Sequence, residues 1–92
     1  MIVRILGEGQ FTVQPGDVDE LNRLDDVLTH SLDGGDESGF RSALGTLLAR
    51  VREVGTPLDH AELSPSDAVL PAEEATVEDV RALLTDEGVI PG

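Results

Sequence analysis

The sequence predicts an α+β fold: an N-terminal β-hairpin packed on a helical hairpin, with one further helix at the C-terminal end. Three features predict it. Residues 1–14 hold two short apolar runs about Gly7-Glu8-Gly9, the two long stretches that follow repeat apolar residues every three or four positions, and Gly34-Gly35 separates those stretches. At 92 residues the chain is one small domain over 1–92, long enough for a single core.

In the first run Ile2, Val3, Ile5 and Leu6 surround Arg4, and in the second Phe11 and Val13 alternate with Gln10, Thr12 and Gln14. That alternation is the pattern of strands with one wet face. Gly7 and Gly9 supply the positive φ that a tight connection needs. A dinucleotide-binding loop would instead want a third glycine at position 12 with a helix opening there, and position 12 is Thr in a strand-like run.

Pro15-Gly16 breaks the strand, and Asp17 with Glu20 three residues on is a capping signal for a helix over 17–32. Val18, Leu21, Leu24, Val27, Leu28 and Leu32 form its apolar stripe, with Asp19, Glu20, Asp25 and Asp26 on other faces. Gly34-Gly35 ends that helix, and Asp36 caps a second over 37–54 whose stripe is Phe40, Ala43, Leu44, Leu47, Leu48 and Val51. Two amphipathic helices joined by so short a turn pack antiparallel. Gly39 and Gly45 interrupt the second pattern at about 1 kcal/mol each against Ala; close helix approach would explain Gly45, and the pattern offers no reason for Gly39.

Gly55-Thr56-Pro57 stops the second helix and opens a Pro-punctuated connection over 56–75. Within it Ala68-Val69-Leu70 is short enough to be a third strand on the hairpin edge. Thr76 with Asp79 then caps a final helix over 77–86 with Val77, Val80, Leu83 and Leu84 inward, and Gly88 leaves Val89–Gly92 extended.

Composition narrows function. Nineteen acidic residues against six basic ones, all Arg, give a net charge of −13, which argues against nucleic acid as a partner and against docking on anionic lipid. No signal peptide or spanning segment is present in the pattern, so a cytoplasmic location without membrane insertion is expected. The absence of Cys removes disulfide, zinc-thiolate and thiol-nucleophile chemistry together. With Phe11 and Phe40 the only aromatics, the core must be aliphatic, and a core this small gains from a partner or a second copy.

Each candidate for chemistry has a plainer structural role. Asp33-Gly-Gly-Asp-Glu37 lacks the alternating oxygen ligands of a calcium loop and reads as a turn and cap. His30 and His60 lack the paired spacing of metal ligands. Asp25-Asp26 and Glu73-Glu74 are adjacent pairs whose members diverge, so they read as solvated charges and not as a carboxylate dyad. Ser64-Pro65-Ser66-Asp67 near His60 has no oxyanion hole and reads as a turn. Arg41, Arg50 and Arg52 can pair with carboxylates of the first helix or of a partner, and spacing does not choose. No catalytic residue, cofactor site or metal site is expected, and an enzyme is not.

The chain resembles the phage shock protein A-associated family, PspAA. The stretches that carry the resemblance are Met1–Phe11, Leu21–Asp25, Val51–Pro57, Leu63–Asp67 and Val80–Leu84. The resemblance implies a small accessory protein of phage shock protein A, a coiled-coil membrane-repair protein, with no catalytic residues to carry over. The expected function is therefore non-enzymatic, in a phage-shock or envelope-stress system, by contact with a helical partner. Expected contact residues are Leu6, Phe11 and Val13 on the hairpin and Phe40 and Leu47 on the second helix. The alternative is a homo-oligomeric structural domain in which a strand edge pairs with its copy.

Overall fold

A computed structural model of the chain describes residues 1–59 and 65–83. The alternating N-terminal runs form strands β1 (Ile2–Ile5) and β2 (Gly9–Thr12), paired antiparallel with Val3 opposite Phe11 and Arg4 opposite Gln10. The turn between them needs its glycines: Gly7 has φ 86° and Gly9 φ 126°, conformations that a side chain strongly disfavours. Helices α1 (Pro15–Asp33) and α2 (Glu37–Val54) follow as the antiparallel hairpin, joined at Gly34–Asp36. Asp36 caps α2 by accepting the Gly39 N–H at 2.9 Å.

Beyond α2 the chain adds one strand to each side of the hairpin. β3 (Thr56–Pro57) pairs antiparallel with β2, and β4 (Ala68–Leu70) pairs parallel with β1, so the four-stranded order is β3-β2-β1-β4. β4 is the third strand that the short Ala-Val-Leu run allows. β3 was not expected; Gly55, extended at φ −82° and ψ 150°, turns the chain out of α2 and lays Thr56 beside Thr12. Pro57 is tolerated there because an edge strand has a side where no N–H is needed. The Thr76–Asp79 capping box opens α3 (Val77–Leu83): the Thr76 N–H donates to Asp79 Oδ2 at 3.0 Å and the Asp79 N–H to Thr76 Oγ1 at 3.2 Å. The expected end of that helix at 84–86, the extended Val89–Gly92 segment, His60 and Ser64 lie outside the described residues.

One core joins the sheet to the helices. Val3 and Ile5 of β1, Leu70 of β4, Leu21 and Leu28 of α1, and Leu44, Leu47 and Leu48 of α2 are buried in a single cluster, with Phe40 1% exposed. Full burial of such a side chain stabilises by about 1.5–3 kcal/mol. The register places Phe11, Ala68 and Leu70 on the same sheet face as Val3 and Ile5, and Arg4 on the other.

Four details depart from the pattern-based expectation. First, α1 starts at Pro15 and not at 17, with Gln14 as an N-cap that makes no side-chain bond. Proline fits the first helical position because its missing N–H would be unpaired there anyway, and Asp17 then favours the positive end of the helix from within the first turn. Second, Asp25 is buried at 2% exposure, not solvated, because it lies on the Leu21–Leu28–Leu32 line at four-residue spacing; it is not without a partner. Val27 is displaced from that line and is 55% exposed. Third, Gly45 is not a close-approach site: a Cβ there would meet nothing within 4 Å. Fourth, Gly39 does have a reason, since a Cβ there would come within 2.3 Å of the Asp36 carboxylate that caps the helix.

Candidate interaction surface

The arginines of α2 satisfy carboxylates of the chain itself. Arg50 pairs with Glu20 of α1 and with Glu53 one turn on. Arg52 reaches out of α2, and its guanidinium donates to both carboxylate oxygens of Glu8 in the hairpin turn and to Oε1 of Glu73 in the β4–α3 connection. Arg41 donates to the Glu73 carbonyl at 2.8 Å and lies over the Phe40 ring, 5.3 Å from its centroid. The hydrogen bond from Arg52 holds the Glu8 carboxyl below the ordinary glutamate value, against a smaller upward push from desolvation. These pairs are surface pairs and each stabilises little. Their geometric consequence is larger, because Glu8–Arg52–Glu73 ties the turn of the hairpin to the segment leading into α3.

Beside that tie the end of β1 opens into a concavity. Leu6 follows the buried Ile5 just past the end of β1, where its N–H donates to the Leu70 carbonyl at 3.0 Å and the residue is 42% exposed. Leu6, Pro71, Ala72, Ala75 and Ala82 line a hollow of about 340 Å³. Glu74 and Asp79 stand at its margin. Glu74 makes no ion pair among the described residues, and Asp79 is engaged only in the capping box of α3. Arg81, the cation of α3, donates instead to the Leu32 carbonyl at 3.3 Å, away from the hollow.

Of the expected contact residues, Leu6 alone is open. Phe11 is half-buried and packs against Gly55 at the end of α2, where a glycine Cβ would come within 2.9 Å of the Phe11 Cβ. Val13, Phe40 and Leu47 are at most 1% exposed and are committed to the chain's own core, so a partner cannot touch them without opening the fold. Sequence reasoning missed Ala72, Glu74, Ala75, Asp79 and Ala82, which reach Leu6 only through the fold; the sole local sign was that Leu6 breaks the alternation by following Ile5. A second apolar groove, missed for the same reason, lies between α1 and α2 with Val27, Leu24 and Thr46 along it.

The remaining candidates for chemistry are occupied structurally. Asp36 caps α2, Asp67 accepts the Ile2 N–H through Oδ2 at 2.7 Å, and Ser66 Oγ accepts from Gln10 Nε2 at 2.8 Å. Glu73, read from the sequence as a solvated charge, is held by Arg52. His30 is exposed, and among the described residues no group of three or more His, Asp or Glu side chains is placed to hold a metal ion. No described helix is long and apolar enough to cross a membrane.

Compared with known proteins, the chain matches the family model described as PspAA, PspA-Associated protein, over residues 1–92. No curated protein and no solved structure matches it.

Proposed function

The chain belongs to the PspA-associated protein family, and on that premise we propose that it is a non-enzymatic accessory protein that binds phage shock protein A or a closely similar helical partner in an envelope-stress system. It acts in the cytoplasm and meets the membrane only through that partner. The observation that carries this reading is the family match over the whole chain. Two physical features support it: Leu6 stands exposed in an apolar hollow, and a charge of −13 makes a protein partner easier to approach than anionic lipid or nucleic acid.

The test is co-purification of the tagged chain with phage shock protein A from the native host, before and during membrane stress. Recovery of the partner supports the reading, and repeated absence under both conditions contradicts it. The homo-oligomeric alternative has less support. The outer strands of the sheet are two and three residues long, and one carries Pro57, so little edge is available to a copy among the described residues. Light scattering at micromolar concentration decides it: a monomer removes the alternative.

A further inference from the structure

We propose that the Leu6 hollow is the seat for one apolar side chain carried on a partner helix and flanked there by Lys or Arg. This deepens the functional reading above and rests on it. The hollow is apolar at its floor, through Leu6, Pro71 and Ala75, and acidic at its margin. Glu74 and Asp79 line it and Glu8 and Glu73 stand beside it; Arg52 is already shared between Glu8 and Glu73, and Arg41 is engaged with the Glu73 carbonyl and the Phe40 ring. Among the described residues neither Glu74 nor Asp79 is ion-paired, and both stand beside an exposed leucine, an arrangement complementary to an amphipathic helix whose apolar stripe is bordered by basic residues.

The same charges argue against a second copy of the chain as occupant, since it would bring its own acids against these. The groove beside Val27 offers a contrast: its lining is Leu24, Val27 and small or hydroxyl-bearing side chains with no charged group among them, so it has nothing to select a partner's charge.

The test measures binding of purified phage shock protein A from the same host to the wild-type chain and to Leu6→Asp, Glu74→Lys, Ala82→Arg and Val27→Asp, each checked for folding by circular dichroism. Leu6→Asp and Ala82→Arg are expected to weaken binding by at least about tenfold, as loss of a central apolar contact does. Glu74→Lys is expected to weaken it about threefold or more and to reduce its salt dependence, while Val27→Asp leaves it unchanged. Ala82→Arg blocks the hollow from an exposed helix position and keeps the test decisive if Leu6→Asp does not fold.

Wild-type binding that none of the hollow variants weakens overturns the seat and leaves the function standing. Failure of the wild-type chain to bind at all overturns both. A shift from dimer to monomer in Leu6→Asp, read by light scattering, assigns the hollow to a second copy and also overturns the proposal.

Discussion

Phe40 and Leu6 are both large apolar residues in periodic stretches, yet the helical hairpin closes over one and the end of the β-hairpin leaves the other open. Phe40 is 1% exposed in the common core, whereas Leu6 is 42% exposed and its hollow is assembled from residues more than sixty positions away. The difference teaches that apolar character alone does not assign a side chain to stability or to recognition. Position in the chain decides it at Leu6: the core takes Ile5, the last residue of β1, and leaves the next residue in the turn outside.

The largest effect is expected on the closed side. Phe40→Ala removes a buried aromatic from the common cluster and should destabilise the chain by about 3–5 kcal/mol, read as a lower midpoint in urea unfolding. A loss below about 1 kcal/mol would mean that the helix pair is packed far more loosely than its burial indicates. Asp25→Ala should follow at about 1–3 kcal/mol, because it removes a buried polar side chain that is not without a partner. Gly45→Ala should go the other way by up to about 1 kcal/mol, since helix propensity improves and the added methyl meets open space. A rise in thermal midpoint checks it.

A smaller effect links the two regions through Arg52. The Glu8 carboxyl is held below its ordinary value of 4.5 in the fold, so the tie it makes contributes stability above that pH and loses it as pH falls through the lower folded value. Glu8→Gln should therefore lower stability slightly at neutral pH, converge with the wild type in acid, and so flatten the acid limb of stability against pH. An acid limb with the wild-type slope would show that the tie is not coupled to folding.

The helical hairpin was legible in the sequence because its information is local. Three- and four-residue periodicity, the Asp36 cap and the Thr76–Asp79 box each involve residues within one or two turns, and all three reappear in the structure. Asp25 was readable in principle, standing four residues after Leu21 and three before Leu28, but a charge on an apolar line is easily assigned to solvent. The sheet was less legible: the Ala68-Val69-Leu70 strand was expected at the hairpin edge, but nothing local sets its parallel register with β1, and the two-residue β3 has no pattern of its own. The hollow was least legible. Leu6, Glu74 and Ala82 share no spacing, and only the path of the chain through β4 and into α3 brings them together.

The most direct test of the account is a magnetic resonance titration of the isotopically labelled chain with unlabelled phage shock protein A. Shift changes are expected to concentrate at Leu6, Ala72, Glu74, Asp79 and Ala82, with Val27 and Thr46 undisturbed. Changes centred instead on Val27 and Thr46, or no change at saturating partner, would contradict it.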